Sequence, residues 1–331
     1  MEILPPELLL YIFSLAATDG GPTSRSLALV STYIHAASTP VRFHTVALNG
    51  HPAQLRTFFS HLDAERARSL DSPPLVRGLY VKCINGPHEP VQRQQGVMST
   101  HDPKRTDFTQ ADEEQYCALI TSLLNEVAPT LDTLTISFQT PFLSTRVPLP
   151  TLFPRLRELS VVGTYSSFFD TTHFPSLQRL SHRGVTDQVL RLPSFIALAP
   201  NLTHLRLSHF RAESVEGVFD ADQPSPESAP ETRAPPRSWK MKKIILQPDP
   251  PIGLMCGFGF AQRRSFLEQL EQKIVGASVP VYLVPPPQRW NTELDAEQIL
   301  LEWKERMEGG VGGWSIRKAW AGPRGRPKWA W

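Results

Sequence analysis

The apolar positions of this chain fall into two patterns, helical toward both ends and strand-like between them. At the N-terminus, Pro5 to Ala17 places Leu8, Leu9, Leu10, Ile12, Phe13, Leu15 and Ala16 around almost the whole circumference of a helix. Pro5 and Pro6 suit its first turn, where the N–H groups have no intrahelical partner. Glu7 adds negative charge at the positive end of the helix dipole. A turn containing Gly and Pro leads to a second apolar segment, Arg25 to Ala37, with Leu27, Leu29, Val30, Tyr33 and Ile34. The pattern predicts a helical hairpin. A helix that is apolar all round must be covered on more than one side, so one face is expected to pack on the rest of the chain and another on a partner.

The order of residues in this stretch resembles the F-box. The resemblance rests on Leu4-Pro5, Glu7-Leu8-Leu9, Ile12-Phe13, Leu15, Leu27, Leu29-Val30-Ser31, and Phe43 after Pro40. It implies a small helical unit that docks on the Skp-type adaptor, and through it on the cullin scaffold, of a ubiquitin ligase. Leu4, Pro5, Leu8, Ile12, Phe13 and Val30 would then supply the adaptor-facing apolar surface. Two departures from the family pattern stand out: Tyr33-Ile34 where many members have Lys/Arg-Trp, and a polar Thr18-to-Ser26 turn. The alternative from the residues alone is an amphipathic hairpin that caps the following domain.

Further on, His44 to Leu48 alternates as a short strand, and Pro52 to Leu62 carries Leu55, Phe58, Phe59 and Leu62 at helical spacing. Leu75 to Cys83 reads as a strand, and Glu113 to Val127 as a helix burying Tyr116, Leu119, Ile120, Leu123 and Leu124. Between them, Asn85 to Gln110 is polar and without period, as in a long loop or insert. A repeat follows. Pro129-Thr130-Leu131, Pro154-Arg155-Leu156, Pro175-Ser176-Leu177 and Pro200-Asn201-Leu202 each lead to a further Leu, at 134, 159, 180 and 205. The unit is P-x-L-x-x-L-x-(apolar), and its period of about 21 to 25 residues lies in the range of leucine-rich repeats. Val76-Leu79-Val81 and Met241-Ile244-Leu246 extend it on either side.

The repeat resembles a degenerate leucine-rich repeat of the kind that follows many F-boxes. Stacked strands with inward Leu pairs would make one continuous core. The Asn or Cys expected past the last apolar position is missing, with Gln139, Thr164 and Phe210 in its place, and His182 takes an apolar place in the third unit. An ordinary α/β domain whose strands begin after Pro is the alternative. Beyond the repeats, Phe219 to Ser238 mixes acids with prolines and has almost nothing to bury, so disorder is expected. Lys240 to Leu246 and Val279 to Val284 read as strands, Ala261 to Ile274 as a helix, and Leu294 to Met307 as a last helix with Ile299, Leu300 and Trp303 inward.

Composition narrows the function classes. The 331 residues carry a net charge of +2, which selects no class of partner, and 32 prolines, which imply many loops. Cys83, Cys117 and Cys256 are odd in number and form no C-x-x-C pair, so neither a zinc site nor a disulfide framework is indicated. No secretory signal or membrane-spanning run is visible, which points to the cytoplasm or nucleus. The sequon Asn201-Leu202-Thr203 is read as structural. There is no G-x-S-x-G elbow, H-E-x-x-H or P-loop, so no catalytic residue, metal site or cofactor is assigned.

Binding residues come from the strand pattern. Residues between the inward leucines face the other side of the sheet, and the middle of that face is basic: Arg179, Arg183, His204 and Arg206. Guanidinium groups pair bidentately with carboxylate and phosphate, so the expected client is an acidic or phosphorylated protein segment; a solvated strand face with incidental arginines is the equal alternative. At the C-terminus, Pro323 to Lys328 resembles the core of an AT-hook, which would direct Arg324, Gly325, Arg326 and Pro327 into a minor groove. A plain basic tail with folded-back Trp residues accounts for the same stretch, and nucleic acid is not an expected partner.

The expected architecture is mixed α/β. It comprises an F-box-like helical unit (1–46), an irregular leucine-rich-repeat-like solenoid (47–218), an acidic Pro-rich linker (219–238), a continuation of the repeat domain (239–313) and a basic Trp-containing tail (314–331). The expected function is that of a non-catalytic client receptor of a cullin-type ubiquitin ligase. The alternatives are a stand-alone repeat scaffold and a DNA-tethered binding protein.

Overall fold

The computed structural model describes residues 4–68, 74–83, 110–138, 146–163, 172–184, 197–210, 240–248, 265–272, 274, 279–284 and 292–315. Within these the chain is mixed α/β around one eight-stranded parallel sheet. Three short helices come first: α1 (Pro6–Ala16), α2 (Pro22–Leu27) and α3 (Thr32–Ser38). The expected two-helix hairpin is therefore corrected. Arg25 to Ala37 is not one helix, because α2 ends at Leu27 and Ser31 starts α3 by accepting a hydrogen bond from the Ile34 N–H at 3.2 Å. Ser is a preferred N-cap for this reason. Leu9, Phe13 and Val41 form the small core of the unit, backed by Leu27, Ile34 and Ala37.

The sheet runs in sequence order: β1 (Thr45–Leu48), β2 (Gly78–Cys83), β3 (Thr133–Phe138), β4 (Glu158–Val162), β5 (Arg179–Arg183), β6 (His204–Phe210), β7 (Lys243–Pro248) and β8 (Val281–Leu283). Two apolar rows cross it in register. One joins Leu79, Leu134, Leu159, Leu180, Leu205 and Ile244; the other joins Val81, Ile136, Val161, His182, Leu207 and Leu246. These rows bury against α4 (Pro52–Arg68) and α5 (Gln110–Val127) through Leu55, Leu62, Ile120, Leu123 and Leu124, in one continuous core. Parallel strands with an apolar face must be covered in this way.

The P-x-L units deliver β3 to β6, and their middle residues have a role that the pattern alone conceals. The Thr130 hydroxyl donates to the Val76 carbonyl (2.9 Å), the Ser176 hydroxyl to Pro154 (2.6 Å), and the Asn201 amide to Pro175 (2.7 Å). Each side chain thus ties its unit to the preceding one. Asn201 of the sequon is one of these ties. After β4 and β5 the turns fall on Gly163 (φ 119°) and Gly184 (φ 153°). A Cβ at Gly184 would overlap the Gly163 carbonyl; the glycine N–H groups instead bond the carbonyls of Arg183 (2.7 Å) and Ser208 (3.1 Å) on the next strand.

A last helix, α6 (Thr292–Met307), and a 3-10 turn (Gly312–Trp314) complete the described fold. Among the described residues, no helix is long and apolar enough to cross a membrane. Cys83 and Cys117 are buried free thiols, and burial pushes both pKa values up. The predicted acidic linker and Cys256 lie outside the described residues, as does the predicted insert up to 109; its last residue, Gln110, begins α5.

Candidate protein-interaction surfaces

The first surface is the outer side of the helical unit. Helix α1 carries one charge, Glu7, so periodicity leaves its orientation open; the fold resolves it. Leu9, Phe13 and Ala17, spaced four apart, turn inward. Leu4, Pro5, Leu8 and Ile12 stay exposed, as does Val30 in the turn before α3. Phe13 is the exception among the six expected adaptor residues. It is 6% exposed and packs in the unit's own core, so it supports the surface from beneath. Sequence reasoning did not assign Tyr11, Leu15, Leu29 and Tyr33 to this surface, yet they are exposed on the same unit; Leu29 is 80% exposed. The Tyr33 hydroxyl donates to the Leu4 carbonyl at 3.0 Å and holds the chain start in place.

The unit is also bound to the sheet. The Thr45 hydroxyl donates to the Ala17 carbonyl, and the Ala47 N–H to Gly20 at 3.1 Å. Gly20 has φ 86°, and a Cβ there would sit 2.8 Å from the Ala47 Cβ and 3.1 Å from Trp303 of α6. Only Gly accommodates this turn without strain.

The second surface is the outer face of the sheet, opposite the main core. Its side chains include Glu158, Arg179, Arg183, His204, Arg206 and Lys243. Helix α6 lies across this face, so its basic residues are covered. Trp303 packs on Tyr80, with ring centroids 5.9 Å apart, in a cluster with Ile299. Glu302 pairs with Arg183. Arg306 reaches Glu158 at 2.8 Å, and Arg179 approaches the same carboxylate at 3.4 Å. The Trp314 indole N–H donates to Glu158 at 2.9 Å, and the Trp314 carbonyl accepts from Lys243 at 3.1 Å. The ring of Trp314 stands edge-on to His204.

Arg206 is 8% exposed and donates to Ser208 and Gln247, both at 3.2 Å. Burial and the neighbouring Arg183 bring its pKa down to about 10, against the pull of Glu302. Next to this pair, β6 bulges at His209, which adopts φ 61°. Few residues other than Gly take that conformation. Burial, with Arg183 and Arg206 adding to it, lowers the His209 pKa to about 4. His204 is likewise shifted down by burial and the adjacent cations.

Arg324, Gly325, Arg326 and Pro327 lie outside the described residues. No group of three or more His, Cys, Asp or Glu side chains that could hold a metal ion occurs among the described residues. No family profile, curated protein or solved structure matches this chain.

Proposed function

We propose that the chain is a non-catalytic receptor subunit of a cullin-type ubiquitin ligase. Its F-box-like helices dock a Skp-type adaptor, and its sheet domain, a degenerate leucine-rich-repeat solenoid, holds a client protein. The observation that carries this reading is the set of exposed apolar side chains Leu4, Leu8, Ile12, Leu15, Leu29 and Val30 on a unit whose buried core is made by Leu9, Phe13 and Val41. Exposed apolar patches of this kind mark interaction sites. The face belongs to the residues that carry the F-box resemblance. The sequential parallel ladder is the arrangement that stacked repeats produce.

The test is a pull-down with purified Skp-type adaptor, comparing wild type with Leu8→Asp/Ile12→Asp. Both side chains are exposed, so the variant is expected to keep its circular dichroism and melting temperature while affinity falls at least ~100-fold, the scale of losing two anchor residues. Absence of binding by the wild type overturns the reading. The hydrogen bonds from Thr45 and Ala47 to the α1–α2 segment favour a second reading in that case, in which the helical unit caps the β1 edge of a stand-alone scaffold. An uncapped edge strand is an aggregation hazard.

A further inference from the structure

Helix α6 covers the outer sheet face without joining the main core. Its apolar anchor is a separate cluster of Tyr80, Ile299 and Trp303, backed by Ala47, Val162, Leu300 and Met307. The packing of the sheet against α4 and α5 lies on the opposite side, so departure of α6 would leave that core closed. The seat of α6 is also imperfectly satisfied. Trp303 Nε1 and Arg183 Nε are buried without a hydrogen-bond partner among the described residues. A buried polar group left unpaired is destabilising.

The charges beneath α6 do not balance within the sheet. Among the described residues, Arg179, Arg183, Arg206 and Lys243 face a single sheet carboxylate, Glu158, and α6 supplies Glu302 to Arg183. Without the helix, Arg183 and Arg206 would stand together with no carboxylate partner among the described residues. The strained His209 bulge adjoins this pair, and backbone strain of this kind concentrates at functional sites.

We infer that the sheet face centred on Tyr80, Arg183 and Arg206 accepts an acidic amphipathic helix of a partner protein, and that α6 is its displaceable intramolecular stand-in. The stand-in specifies the ligand: a carboxylate at the position of Glu302 for the two guanidiniums, an adjacent aromatic for Tyr80, and an aliphatic residue one turn earlier, as at Ile299. The inference rests on the receptor reading and deepens it, since it names the client class and makes access to the face conditional.

The experiment uses the full chain. The probe is a fluorescent alanine-based helical peptide carrying Ile, Glu and Trp at the spacing of Ile299, Glu302 and Trp303, with a Gln-for-Glu version as control. Trp303→Ala should accelerate amide exchange across 292–307 and leave β3–β5 protected. It should also raise probe affinity at least tenfold over wild type. The Gln probe should bind at least tenfold more weakly than the Glu probe, and Trp303→Ala/Arg183→Glu should lose the gain. Ile299→Ala replaces Trp303→Ala in every arm should the latter unfold.

Unchanged probe affinity once exchange shows α6 released, α6 still protected in both variants, or equal binding of the two probes overturns the inference. Adaptor binding measured on the same proteins keeps the two ideas separable. If adaptor binding persists and the probe result is negative, only this inference fails; if the wild type binds no adaptor, the receptor reading fails.

Discussion

The two surfaces of this molecule contrast in chemistry and in cover. The outer face of α1 and the α2–α3 turn is apolar and open, whereas the outer face of the sheet is charged and closed under α6. Water penalises the first and would solvate the second. An apolar face left open is where the proposed adaptor would dock, while charges drawn under cover need internal counter-charges. The chain supplies those counter-charges with Glu302 and Arg306, residues 119 and 148 positions away from their partners on the sheet. Openness in one place and closure in the other follow from the same desolvation argument applied to opposite kinds of side chain.

Leucines give the strongest means of breaking the contrast. Leu159 is fully buried beneath the sheet, and Leu15 is 62% exposed on α1. Leu159→Ala should lower unfolding free energy by about 2–5 kcal/mol and Leu15→Ala by less than about 0.5 kcal/mol, read from urea midpoints. Equal losses would mean that the outer face of α1 is packed, and the comparison would collapse.

A smaller effect is expected at Glu158, on which Arg179, Arg306 and the Trp314 indole converge. Glu158→Gln leaves two partly buried guanidiniums facing a neutral amide and should cost about 2–3 kcal/mol. Tryptophan fluorescence should report a loosened Trp314. Leu8→Gln on the open face should change neither stability nor fluorescence.

The smallest effect depends on pH. His182 is buried beneath the sheet, and desolvation brings its pKa from 6.5 down to about 4. The unfolded chain therefore binds the proton first. The contribution of the neutral residue is fully present above pH 6.5 and declines as pH falls toward about 4, with roughly 2 kcal/mol gone at pH 5. His182→Leu should flatten this part of the stability profile without touching the open helical face. His44 and His209, also brought down to about 4 with burial as the leading cause, would retain a residual slope. A profile identical to wild type would show that His182 stays neutral in both states or is solvated in the fold.

Much of the sheet was legible because each P-x-L unit puts an apolar pair at a fixed distance from a Pro, and period-two alternation then selects the face. Leu134, Leu159, Leu180 and Leu205 lie in one row as that logic requires. Even His182 occupies the apolar position assigned to it. The helical unit was less legible for a physical reason. With apolar residues at almost every angle of α1, periodicity cannot separate Phe13 inside from Leu8 outside. The break at Ser31 was hidden by an apolar pattern running on through Leu29 and Val30.

The cover of the basic face was not legible. The stripe of Ile299 and Trp303 shows which side of α6 is buried but not which side of the sheet receives it. That choice is made by Tyr80, the small residues Ala47 and Gly78, and ion pairs formed across more than a hundred residues. Thr130, Ser176 and Asn201 tie the units through ordinary polar side chains, and only their common place in the motif could have signalled it.

The close approach of Gly20 to both Ala47 and Trp303 has a bearing on synthesis. The strands can zip in order as they emerge, each on the one before, but the keystone at Gly20 comes from nearly the far end of the chain. At 5–20 residues per second, on the order of 15–60 s separate translation of the α1–α2 turn from arrival of Trp303. From their own synthesis until Trp303 arrives, Tyr80 and the guanidiniums are bare, and the nascent protein presents its charged face before it can close it.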